Sequence, residues 1–164
     1  MEMTATQRLI LVNQYKLMSL LDSKNAPKYQ RLEAIVRGGF SLELNELDKE
    51  YSNLSEQECR TILDTLEMYR ALQVSYQKLE DKSTVTPHRL QFSGYCAIRE
   101  KKYLNYLRFI TTVEGKYTEF MQCEHGCDSQ VPMWDKYLKM LKEWRSCPHE
   151  FHLSMTEIKK ILNA

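Results

Sequence analysis

Between Leu54 and Glu80 the chain runs for about seven helical turns without a proline or a glycine. Ser55, with Glu58 three residues on, is the capping-box signature of a helix start. At about 100° per residue, Cys59, Ile62, Leu63, Leu66, Tyr69, Leu72, Val74, Tyr76 and Leu79 cover an arc of roughly 220°. Arg60, Asp64, Glu67, Ala71, Ser75 and Lys78 remain as a solvent strip. A helix apolar over more than half its girth is touched by neighbours on several sides. The expectation is an all-α fold, a single multihelical domain over residues 1–164. In it, long and short helices form an array around a central helix at about 55–80.

Turn content agrees. Only 5 Gly and 4 Pro occur in 164 residues, too few for a sandwich or barrel. The net charge is +1, so no global field steers nucleic acid or an anionic membrane. No apolar run approaches the length of a membrane span. The N-terminus lacks a basic leader, and the odd count of 5 cysteines reads as reduced thiols in a cytoplasm.

Other elements follow from their punctuation. Thr4 with Gln7 caps a first helix that reaches Leu21, with Leu9, Val12, Leu17, Leu20 and Leu21 as its apolar members. Pro27 opens a second helix, and Gly38-Gly39 closes it. Leu44, Leu47 and Tyr51 fit a short third helix. Residues 81–95 are irregular and read as a joint between two helical layers, broken at Ser93-Gly94. A helix then covers about Ala97 to Thr112 and could run past Gly115 at a cost of about 1 kcal/mol. Pro132 begins an amphipathic helix to Arg145, and Ser154 with Glu157 caps a last one, stapled by Leu153 and Ile158.

Several stretches taken together carry a family likeness. They are Arg8-Leu9-Ile10-Leu11 with Asn13-Gln14-Tyr15, Cys59-Arg60-Thr61-Ile62 with Met68-Tyr69, Val113-Glu114-Gly115 with Tyr117, and Pro132-Met133-Trp134. The chain resembles the YfbU family of small bacterial proteins from end to end. The resemblance implies an α-helical cytoplasmic protein. It assigns no activity, and no catalytic or ligand residue is carried over from it.

Candidate sites must therefore come from the residues. Cys123, His125 and Cys127 share one loop, and Cys147, His149 and His152 another. Thiolate and imidazole are the ligands zinc prefers, but the spacing is not that of a standard zinc module. A helix of about 15 residues separates the two loops by roughly 20 Å. The bland reading is reduced cysteines and loop histidines, with no cofactor. A lone cysteine with a distant histidine is also the weakest form of a nucleophile signature.

Residues 43–66 have the apolar spacing of a helix-turn-helix, a DNA-binding alternative. Yet Glu43, Glu46, Asp48, Glu50, Glu56 and Glu58 face Lys49 alone, and phosphates would repel such a segment. The lysines of the 132–145 helix could lie on a membrane, although a surface helix packed on the core is the ordinary reading.

Arg70 falls inside the apolar arc of the central helix. Its guanidinium needs Glu67, a carboxylate from another helix, or a partner across a subunit interface. With 10 tyrosines and 8 methionines, self-association is the favoured reading. The function expected is a non-catalytic, homo-oligomeric interaction or regulatory protein that also binds a protein partner. The alternatives are a small-molecule or metal-dependent enzyme using the Cys/His loops, and the DNA-binding regulator.

Overall fold

Three serine or threonine hydroxyls set the helix starts that the rest of the fold hangs on. Thr4, Ser55 and Ser154 each accept a hydrogen bond from the backbone N–H three residues on, and Gln7, Glu58 and Glu157 return it to the cap backbone. The computed structural model describes residues 3–50, 53–122 and 124–164, apart from the side chains of Glu50, Met121, Gln122, Glu124 and His125. Its α-helices are α1 (Ala5–Leu21), α2 (Ala26–Gly38), α3 (Ser41–Glu50), α4 (Glu56–Lys78), α5 (Lys101–Arg108), α6 (Trp134–Arg145) and α7 (Met155–Leu162). Among the described residues there is no strand, only a lone bridge between Tyr95 and Asp128. The fold is all-α, as the sequence implies. The chain divides into two compact units, Met1–Asn53 and Leu54–Ala164.

The first unit is an antiparallel α1–α2 hairpin with α3. Arg8 of α1 reaches the far end of α2, where Nε donates to the Val36 carbonyl at 3.0 Å and Nη2 to the Arg37 carbonyl at 2.6 Å. A cation there satisfies orphan carbonyls and opposes the negative helix end. Gly39 closes α2 at φ 64, and a Cβ on it would strike the Arg8 guanidinium. The core of this unit is small: Val12, Ile35, Val36 and Leu44, with Leu11, Tyr15 and Leu47 partly buried around it. Tyr51, read as a core residue of α3, lies outside the described residues.

In the second unit α4 is the hub. Ile62, Leu66, Met68, Ala71 and Leu72 have no exposed surface. α5 meets it through Lys102 and Tyr103 on Glu58, α6 through Met140 under Tyr69, and α7 follows Leu153, whose N–H donates to the Ser75 hydroxyl at 3.0 Å. Here the solvent strip read from the sequence needs correction. Ala71 and Ser75 are buried, as are Thr61 and Thr65. Small residues admit a neighbouring backbone closely, and the threonine hydroxyls are satisfied by the Gln57 and Thr61 carbonyls one turn back.

Residues 81–95 lie within the second unit rather than at a joint, since the unit boundary lies at 53/54. Val85, Leu90, Phe92 and Tyr95 are buried. The Tyr76 hydroxyl donates to the Val85 carbonyl at 2.9 Å, and Gln73 donates to Leu90 at 3.0 Å, which lays the stretch along α4. Gly94 is required for close approach: at φ 84, its Cβ would stand 1.8 Å from the Cys127 carbonyl oxygen. α5 begins later than the pattern implied, at Lys101, and passes into a π-helical turn at Phe109–Val113. It does not continue to Phe120, because Gly115 adopts φ 64 and turns the chain.

Two outcomes test this packing. Ala71→Leu is expected to lower stability by about 1–3 kcal/mol in urea unfolding, because it overpacks a filled site; a solvent-strip position would lose nothing. Glu58 is held down to about 2 by Lys102 and by the Ser55 N–H, against an ordinary 4.5. A depressed carboxylate stabilises fully above its unfolded value and loses that contribution as pH falls through its folded one. The stability gap between wild type and Glu58→Gln is therefore expected to be full above pH 4.5 and to close toward pH 2.

Candidate functional site

The Cys/His loops are the first place to look. Cys123 lies outside the described residues, as does the His125 side chain. Cys127 is buried, and its thiol donates to the Phe120 carbonyl at 3.3 Å. Its own carbonyl accepts the Tyr95 N–H at 3.0 Å. Cys147 follows α6, half-buried, with its thiol on the Glu143 carbonyl at 3.4 Å. Burial, with Glu157 nearby, pushes this thiol above its usual value, the opposite of what an activated nucleophile needs. His149 and His152 are exposed, in a turn closed by the His152 N–H on the His149 carbonyl at 3.0 Å. Among the described residues no three His, Cys, Asp or Glu side chains gather as a metal site would require.

Arg70 is met inside the chain. Its guanidinium pairs with Glu119 and, at 3.1 Å, with Glu67, and lies 4.7 Å above the centre of the Tyr117 ring. Tyr117 donates its hydroxyl to Glu67 at 2.6 Å, and burial together with that bond pushes the phenol up to about 12. Of the partners open to Arg70 from the sequence, both Glu67 and a carboxylate of a distant segment are present. The cluster is half-exposed, so its charges are screened by water.

The aromatic centre of the second unit is sealed. Tyr69, Phe92, Tyr95 and Tyr137 form edge and stacked contacts with centroids 5.4–5.9 Å apart. Burial drives the phenols of Tyr69, Tyr95 and Tyr137 far above their ordinary value, so none ionises near neutrality. The Tyr95 hydroxyl lies beside Thr65 but makes no hydrogen bond of good geometry. α6 spends its apolar side on the same core, with Tyr137, Met140 and Leu141 buried; of its apolar side chains only Leu138 is largely bare. That leaves little for a membrane.

The helix-turn-helix reading joins helices from two different units. Leu44 belongs to the core of the first, and Ile62 and Leu66 to that of the second.

What stands open is on α1. Leu9, Ile10, Leu17, Leu20 and Leu21 are 58–87 % exposed. Four of the five were read from the sequence as the helix's apolar members, yet only Val12 is buried. Their helical angles hold the signal. Val12, with Arg8 and Tyr15, faces α2, and the five aliphatics lie within about 120° on the other side. No acidic residue occurs in α1, and its charges are Arg8, turned inward to α2, and Lys16.

Comparison with known proteins places this geometry in a family. Residues 1–164 match the YfbU domain. The chain is 79% identical over 164 residues to a UPF0304 protein of Pasteurella multocida, 78% to one of Histophilus somni and 74% to one of Actinobacillus succinogenes, covering all of both chains each time. The chain belongs to the YfbU family, as the resemblance of its motifs implies.

The printed names of these relatives attach no chemistry to any residue, so the Arg70 cluster needs a direct measurement. Arg70→Leu is expected to cost about 1 kcal/mol in urea unfolding, the range of half-exposed ion pairs, and to leave the subunit count unchanged. A folded variant of smaller assembly mass would place Arg70 at a subunit contact instead.

Proposed function

We propose that this YfbU-family protein works without catalysis, as a self-associating interaction protein of the bacterial cytoplasm. One observation carries the reading: an aliphatic face on α1, with Lys16 at its edge, at the upper end of the apolar patch that monomers leave bare. The second unit supports it from the other direction. Several of its charged side chains make structural pairs, among them Asp64 with Arg145, Glu143 with Lys160 and Glu58 with Lys102. Cys147 is kept as a thiol, and the tyrosines as phenols. A protein that acts by binding needs a persistent surface more than perturbed acids and bases.

The cytoplasm is part of this proposal, and free thiols are what a reducing compartment keeps. Cys59, Cys96 and Cys147 form no disulfide among the described residues, and none of the described helices is long and apolar enough to cross a membrane.

Native mass spectrometry of the untagged protein, purified without chelator, is the test. The expected spectrum is an integral multiple of the 19.5 kDa chain with no added mass. A retained zinc ion or organic molecule would move the assignment to a metal-dependent or small-molecule enzyme. Salt-sensitive retention on heparin would move it to nucleic acid.

A further inference from the structure

Resting on that reading, we infer that the occupant of the bare α1 face is α1 of a second copy, packed antiparallel about a two-fold axis level with Tyr15.

The first argument is the pattern. A two-fold interface uses the same patch on both copies, so the patch must complement itself. In an antiparallel helix pair centred on position 15, residues whose numbers add to 30 stand at the same level. Leu9 then shares a level with Leu21 of the other copy, Ile10 with Leu20, and Asn13 with Leu17. Every one of the five exposed aliphatics finds an apolar or uncharged counterpart. Ile10 with Leu20 and Asn13 with Leu17 form the central layers, and Leu9 and Leu21 close the two edges. The face runs from residue 9 to residue 21, a rise of about 18 Å along the helix.

Charge selects the direction. Lys16, on the edge of the face, lies level with Gln14 of the other copy in the antiparallel pair. In a parallel pair it would lie level with its own image. The helix dipoles also oppose each other only in the antiparallel arrangement.

Size completes the case. The five side chains, 58–87 % exposed, offer about 600 Å² per copy, so a symmetric pair buries at most about 1,200 Å² of them, the lower edge of a stable interface. The first unit also gains from being paired. Among the described residues of this 53-residue unit five hydrophobic side chains are buried, Val12, Leu32, Ile35, Val36 and Leu44, and units of this size are commonly supported by disulfides, metals or association.

The test uses the full chain. Leu17→Glu and, separately, Leu20→Glu add a charge to positions already 60 % and 74 % exposed, so helix content by circular dichroism is expected to stay at the wild-type level. The mass is expected to fall to that of one 19.5 kDa chain when the wild type is a dimer, or to half where the wild type is a larger assembly. For direction, Ile10→Cys and Leu20→Cys proteins are oxidised separately and mixed, beside a wild-type control for the native thiols. A cross-linked pair is expected only in the mixture, because positions 10 and 20 share a level, whereas each with its own image is about 15 Å apart. Cross-linking of each protein with itself would overturn the antiparallel arrangement. An assembly that survives both glutamates would overturn the α1 contact and leave self-association standing through another surface. A wild type that is monomeric at micromolar concentration would overturn both, and would give the face to a different protein or to the chain's own second unit.

Discussion

The second unit depends on one buried carboxylate. Glu100 sits just ahead of α5 with 5 % of its surface exposed. Its oxygens accept N–H groups from Cys96 at 3.0 Å, from Met133 at 2.9 Å and from Trp134 at 2.8 Å. The last two are the opening amides of α6. The N-cap of that helix is Met133, which has no side-chain oxygen to offer. A cap supplied from 33 residues away takes the place of a local one and brings a negative charge to a positive helix end. Asp128 does similar work close by, accepting from Ala97 and Gln130, while Tyr95 pairs its backbone with Cys127 and Ser129. These contacts tie the start of α6 to the chain just ahead of α5, and Gly94 lets the two loops touch.

The same junction explains why the cysteine-bearing loop behaves as structure. The Cys127 carbonyl holds Tyr95 and its thiol holds Phe120, so the residue is spent on backbone order at φ 63. A non-glycine residue at positive φ costs stability and persists only where its surroundings impose it. Here the surroundings are a ladder of loop hydrogen bonds and a core of tyrosines packed edge to face.

The two units differ in how far they close. The second surrounds α4 with apolar side chains on several sides, and most of its large hydrophobic residues disappear. The first is a thin hairpin with a third helix, and a two-helix layer has two faces to cover. α2 covers one side of α1. The opposite side carries as many aliphatic side chains and is bare, which is the physical ground for assigning it a partner.

Helix identity and helix starts were legible in the sequence because their causes are local. The hydroxyl of Thr4, Ser55 or Ser154 and the amide it captures lie three residues apart, and Gly39 ends α2 through its own φ. The hub role of α4 was legible too, since an apolar arc beyond half a turn leaves no other place for that helix. Residues 81–95 were not, because Val85, Phe92 and Tyr95 carry no period and are ordered by what they touch. The late start of α5 and the capping of α6 depend on Glu100, whose partners lie 33 and 34 residues on. Ala71 and Ser75 looked solvent-facing by angle and are buried; the chain leading into α7 meets Ser75 through the Leu153 N–H. On α1 the leucines looked like core, and the neighbour that would bury them is not on their side. The sequence by itself determined which segments are helices and where they begin, through hydrogen bonds and torsions between near neighbours. Only the tertiary structure decided which faces are covered, because burial belongs to the pair of surfaces that meet, and a single segment encodes one of them.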